Sequence, residues 1–171
     1  MEKKALLVID MQNDYLWEKR KKMFSYDTEQ LVKNINATVH SYKNNGWDVY
    51  YIAQVFPNII TNRLIIGFSI KNTEGAELYS GLDVVSELYF EKNLPDTFTA
   101  KKFREHFNKQ GYTEVAVCGV DECGCAGATA LGAVKNGYKV SILKDCTGCR
   151  YSDKKLTAQR KKLSESGVKY I

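Results

Sequence analysis

The chain has 171 residues, 44% of them hydrophobic and 26% charged, with 25 basic against 20 acidic residues and a net charge of +5. That length fits one domain over residues 1–171, able to bury roughly two thirds of its unfolded surface, and the ordinary composition excludes a fibre, a disordered chain and a membrane protein. The basic clusters at 19–22, 101–104 and 154–162 lie on amphipathic or loop segments and lack interleaved aromatic platforms, so the positive excess reads as solvated surface and no nucleic-acid partner is expected.

In chain order, Lys4 to Asp10 is a continuous apolar run ending in an acid, as in a parallel strand buried on both faces. Its five apolar residues are too few for a signal-peptide core, so the expected location is cytoplasmic, with no membrane partner. Leu31, Ile35, Val39 and Tyr42 recur at helical spacing over Thr28 to Asn44, with Asp27 or Thr28 as N-cap. Trp47 to Gln54 reads as a second strand, and 55–82 as an irregular excursion. Glu87 to Lys92 is a third strand, Thr99 to Gln110 a helix and Thr113 to Val120 a fourth strand. A run of small residues from Cys125 to Asn136 forms a helix, Tyr138 to Lys144 a fifth strand, Ser152 to Ser166 a helix and Val168 to Ile171 a sixth strand. The two Asn-Gly pairs at 45–46 and 136–137 each follow a helical pattern and read as helix ends rather than hairpins. Strands alternating with helices imply right-handed crossovers and a three-layer α-β-α sandwich around a six-stranded parallel sheet.

In such folds the site lies beyond the carboxyl ends of the strands, and this edge holds Asp10, Lys92 and the turn carrying Cys125. Each has a structural explanation alone: a loop acid, a solvated lysine, a small buried hydrophobe. Together they supply a nucleophile, a base and a cation. A cysteine in the first turn of a helix also faces unpaired N–H groups and the positive end of the helix dipole, which favour a thiolate.

VIDMQNDY (Val8 to Tyr15), the segment Lys92 to Phe98, and Cys118-Gly119-Val120 followed by Cys125 and Thr129-Ala130 resemble, in order and spacing, the isochorismatase-like cysteine hydrolases. The resemblance implies an Asp10-Lys92-Cys125 triad. It implies an oxyanion hole from the backbone N–H groups of Asp121 and Cys125, with a cis peptide at Val120-Asp121, and a homo-oligomer of two or more chains. The implied reaction is hydrolysis of a small amide, carbamoyl or ureido substrate through a thioester. The alternative is a catalytically silent thiol-based redox or binding protein on the same scaffold.

Nicotinamidases of that family bind a metal through an acid and two histidines after the second strand. The matching stretch here, IAQVFPNIITN, has neither residue type, so no metal and no cofactor is expected. Tyr15, Gln54, Phe56 and Phe98 are the candidate substrate-binding residues, with Tyr51 beside them; Phe98 reads equally as a packing residue. His40 and His106 read as surface or packing residues. Trp17, Tyr26 and Phe68 are candidates for burial between copies. Asp121 and Glu122 either form an acidic rim that repels anions or face solvent. Cys123, Cys125, Cys146 and Cys149 form C-x-C and C-x2-C pairs. Zinc is one reading of them. Another is redox control, with Cys146 or Cys149 brought near Cys125.

Overall fold

A computed structural model describes residues 2–171. Six strands form one parallel sheet in the order β3-β2-β1-β4-β5-β6, where β1 is Lys3–Ile9, β2 Asp48–Gln54, β3 Tyr89–Lys92, β4 Tyr112–Val120, β5 Lys139–Gly148 and β6 Lys169–Tyr170. Every pairing is parallel because a helical or irregular crossover returns the chain to the same edge each time.

The central strands are buried on both faces, and their period of two sorts the core into two layers. Leu6, Val8, Val49, Tyr51, Ala116 and Cys118 face helix α2 (Thr28–Asn44) and its stripe of Leu31, Ile35 and Val39. Ala5, Leu7, Ile9, Tyr50, Ile52, Val115 and Val117 face the other way, toward α4 (Lys101–Asn108), α5 (Cys125–Lys135) and α6 (Asp153–Glu165). Asp27 is the N-cap of α2, its carboxylate accepting from the Gln30 N–H at 3.1 Å. No helix among the described residues is long and apolar enough to cross a membrane.

The excursion over 55–82 is less irregular than its sequence implies. A short helix, α3 (Ile60–Ile65), and a 3₁₀ turn at Glu74–Ala76 lie within it, and another short helix, α1 (Asn13–Leu16), follows β1. Gln12 pins this excursion to the sheet: its side chain accepts from the Gln54 N–H at 2.8 Å and donates to the Gln54 and Ala76 carbonyls at 2.9 and 2.7 Å. The largest difference from expectation is β5, which runs to Gly148 rather than Lys144. Its register against β4 jumps from Val117↔Ile142 to Gly119↔Thr147, and Thr147 Oγ1 closes the bulge by donating to the Leu143 carbonyl at 2.8 Å. The bulge brings 148–150 alongside 120–122. At Gly119 (φ +104°) a Cβ would lie 2.1 Å from the Ile9 carbonyl oxygen, so β1 and β4 approach there as only glycine permits.

Candidate active site

Three strand ends converge at the sheet's carboxyl edge. Asp10 follows β1 in the left-handed region (φ 53°), with its N–H donating to the Ile52 carbonyl at 2.8 Å. That conformation is uncommon for a residue with a side chain and is the kind of strain found at functional sites. Lys92 ends β3 and reaches across β2. Its Nζ donates to Asp10 Oδ2 at 3.0 Å and to Gln54 Oε1 at 2.8 Å. Cys125 is the first residue of α5, its Sγ 3.9 Å from Gln54 Oε1. Asp10 and Lys92 are only 2% and 3% exposed. Two buried polar atoms here have no hydrogen-bond partner among the described residues, Asp10 Oδ1 and Gln54 Nε2.

Burial pushes the Asp10 carboxyl up, although the charge and hydrogen bond of Lys92 oppose it. Burial alone would lower Lys92, but the charge and hydrogen bond of Asp10 oppose this and its pKa is raised. The Cys125 thiol is pushed up to about 12, first by burial and then by the Asp10 charge, with Lys92 pulling the other way. This corrects the expectation of a resting thiolate. Desolvation and the adjacent carboxylate favour the thiol and outweigh what a place at the start of a helix does for a thiolate.

The turn from Asp121 to Gly124 connects β4 to α5, and the Val120–Asp121 peptide is cis. Its N–H groups can be accounted for one by one. Glu122 donates to the Gly148 carbonyl at 2.9 Å, Cys123 to Asp121 Oδ1 at 2.8 Å, and Gly124 and Ala126 to the Asp121 carbonyl at 2.9 and 3.0 Å. The N–H groups of Asp121 and Cys125 are left without an acceptor among the described residues. The two acids here neither form a rim nor face solvent. Asp121 Oδ2 accepts from the Tyr26 hydroxyl at 2.9 Å and the Arg150 N–H at 2.8 Å, and Glu122, 0% exposed, takes a fork from Arg160 at 2.8 and 2.9 Å. Each is neutralised by a partner that lies far along the chain.

A cavity of about 260 Å³ opens above Cys125 and Asp10. Tyr15 and Phe56 line it, together with Gln54, which also anchors Lys92. Tyr15 is braced by edge-on contacts with Phe24 and Phe68, and its hydroxyl accepts from Ser69 Oγ at 2.9 Å. Phe98 does not belong to this site. Asp96 caps the turn after β3 by accepting the Phe98 N–H at 2.9 Å, and the ring packs into the opposite core layer against Phe103 and Phe107. Tyr51 is also core, its hydroxyl donating to the Asp83 carbonyl at 2.7 Å. Tyr26 and Phe68, expected between copies, instead wall the cavity. Sequence reasoning missed Phe24, Asn93 and above all Arg150, whose guanidinium stacks over Phe24 at 5.2 Å. The signal for Arg150 lay in the β5 bulge, which has no local signature.

The cavity does not fit a nicotinamidase-type metal. The end of β2 and the loop after it offer it the Gln54 amide and the Phe56 ring, while the histidines lie elsewhere, His40 against Asp83 and His106 against Tyr50. The four-cysteine zinc reading also fails. Cys125 faces the Asp10–Lys92 pair, Cys146 contacts Thr38 at 3.1 Å in the core, and only Cys123 and Cys149 converge, 3.4 Å apart. Asp121 completes a three-donor group with them, but its oxygens are already occupied as described. Neither Cys146 nor Cys149 is the partner of Cys125.

Comparison with known proteins places these features in a family. The isochorismatase domain model matches residues 4–168. An uncharacterized isochorismatase family protein, YddQ of Bacillus subtilis, is 30% identical over 142 residues, covering 82% of this chain and 75% of that protein. A probable inactive nicotinamidase of Arabidopsis thaliana, At3g16190, is 27% identical over 156 residues, covering 84% and 79%. The pyrazinamidase of Pyrococcus horikoshii, solved in complex with zinc, shares the fold with a TM-score of 0.82 at 22% identity, over 99% of this chain and 98% of its own.

Proposed function

This chain belongs to the isochorismatase family, and from that premise we propose that it is a cysteine-dependent amidohydrolase acting on a small amide, carbamoyl or ureido substrate. The coarse part, hydrolysis of a carbon–nitrogen bond, follows the amidases among its relatives. The finer part rests on one observation: a thiol and a carboxylate share the lining of one cavity, and a buried ammonium group is bonded to that carboxylate from behind.

Asp10 Oδ1, which no donor fills, takes the Cys125 proton as the sulfur attacks the carbonyl carbon. Burial and the Asp10 charge push the thiol up and favour its protonated form, so the proton leaves for Asp10 as the sulfur attacks. Lys92 keeps Asp10 ionised against its burial. The tetrahedral oxyanion is held by the N–H groups of Asp121 and Cys125, the two that the turn leaves free. Asp10 returns the proton to the departing amine, then takes one from the water that opens the thioester. Gln54 Nε2 offers the substrate a further donor. Arg150 supplies the guanidinium of the cavity lining and selects amides that carry a carboxylate away from the scissile bond.

Ammonia release from a panel of small neutral and acidic amides tests this reading. Cys125→Ala should lower turnover by about 10⁴-fold or more and leave the fold unchanged. Arg150→Leu should raise KM for acidic amides by roughly 10- to 100-fold, the loss of a charge-assisted contact worth about 1.5–3 kcal/mol, and spare neutral ones. Turnover that survives Cys125→Ala rules the mechanism out, and no turnover across the panel favours a silent binding protein.

A further inference from the structure

The mechanism uses one of the five cysteines. Of the rest, Cys118 and Cys146 are buried in the core, while Cys123 and Cys149 are both partly exposed. Their sulfurs lie 3.4 Å apart, Cys123 in the turn after β4 and Cys149 just past the end of β5, each next in sequence to a residue of the cavity rim, Gly124 and Arg150.

Backbone contacts fix this proximity. Val120 pairs with Gly148 in the sheet, the Glu122 N–H donates to the Gly148 carbonyl at 2.9 Å, and the Asp121 carboxylate accepts from both the Cys123 N–H and the Arg150 N–H at 2.8 Å. One carboxylate therefore clamps the residues on either side of the sulfur pair. A disulfide bond of about 2.05 Å needs the sulfurs to close by only about 1.3 Å, within reach of side-chain rotation on two adjacent backbones. The third potential metal donor, Asp121, is consumed by the clamp, which leaves two-electron thiol chemistry as what this pair can do.

We propose that Cys123 and Cys149 form a modification site, a dithiol that a peroxide closes reversibly to a disulfide, tying the turn that holds Asp121 and Gly124 to the strand end that holds Arg150. One sulfur attacks a peroxide oxygen. The O–O bond breaks, a sulfenic acid forms, and the other oxygen leaves as water with the thiol proton. The second sulfur then attacks the sulfenic sulfur, the S–O bond breaks and a second water leaves. The two thiols lose two electrons and two protons, and hydrogen peroxide is reduced to two waters. A dithiol such as thioredoxin or dithiothreitol reverses the change.

The site stands apart from the hydrolase reading, so it is tested both in the native protein and in Cys125→Ala. Each is treated with hydrogen peroxide, the remaining thiols are alkylated, and non-reduced digests are mapped by mass spectrometry. The expected product in both is an intramolecular Cys123–Cys149 peptide pair, lighter by two hydrogens and abolished by dithiothreitol, with Cys118 and Cys146 recovered alkylated. In Cys149→Ser the cross-link should vanish and dimedone should trap a sulfenic acid at Cys123. Amide exchange over 121–124 and 148–150 should slow on oxidation of Cys125→Ala. Recovery of Cys123 and Cys149 as alkylated thiols after treatment, pairing of Cys123 with Cys125, or unchanged exchange at the rim would each overturn the proposal.

Discussion

Two carboxylate–cation pairs are each built on a buried carboxylate and differ in how completely that carboxylate is satisfied. Glu122 and Arg160 meet as a fork, both carboxylate oxygens filled at 2.8 and 2.9 Å. Asp10 and Lys92 meet through a single bond of 3.0 Å; Lys92 divides its donors with Gln54, and Asp10 Oδ1 and Gln54 Nε2 remain unpaired. A complete pair holds the turn before α5 against α6. An incomplete one, bordering the cavity, keeps its spare acceptor and donor for a reactant.

Matched carboxyl-to-amide exchanges separate the two most sharply. Asp10→Asn removes the proton acceptor and should lower kcat by about 10²- to 10⁴-fold in the amide assay, whereas Glu122→Gln should stay within about threefold. Equal losses in the two variants would erase the distinction. Lys92→Met strands Asp10 in a dry site, a defect worth about 3–5 kcal/mol when the carboxylate must be charged. Its pH dependence carries a definite sign. Burial raises Asp10 in the folded state, so the variant loses little at pH values below the unfolded carboxyl pKa, where Asp10 is neutral in both states. The loss grows as pH rises through the folded pKa. Urea unfolding at several pH values measures it, and a deficit that shrinks with rising pH would contradict the assignment. The smallest effect is expected at the satisfied pair, where Glu122→Gln should cost about 1–3 kcal/mol of stability in the same titrations.

Asp10, Lys92 and Cys125, which the sequence pattern brings to one sheet edge and which lie at that edge in the structure, share one property: each sits at or next to the boundary of a regular element. Asp10 closes β1, Lys92 closes β3, and Cys125 opens α5 after the β4 turn, so local pattern and sheet topology together bring them to one edge. What was misread depends on contacts between distant segments. Glu122 looked like a free acid because its partner Arg160 is 38 residues away. Arg150 was missed because β5 continues through a bulge that ends in polar residues rather than stopping at Lys144. Phe98 was drawn toward the cavity by its nearness to Lys92, when the Asp96 cap turns the chain and sends the ring to the other side of the sheet. The Cys125 environment was misjudged because helix position is legible in a sequence, while the desolvation that opposes it appears only once the walls are built.

Gly119 links the sheet's core to its chemistry. Because a methyl group there would press into the Ile9 carbonyl, the bare backbone acts as a spacer of minimum thickness between the two central strands, one leading into Asp10 and the other into Cys125. Any side chain at 119 would act as a wedge just below both reactive groups, so the reach from base to sulfur is calibrated by an atom the protein leaves out.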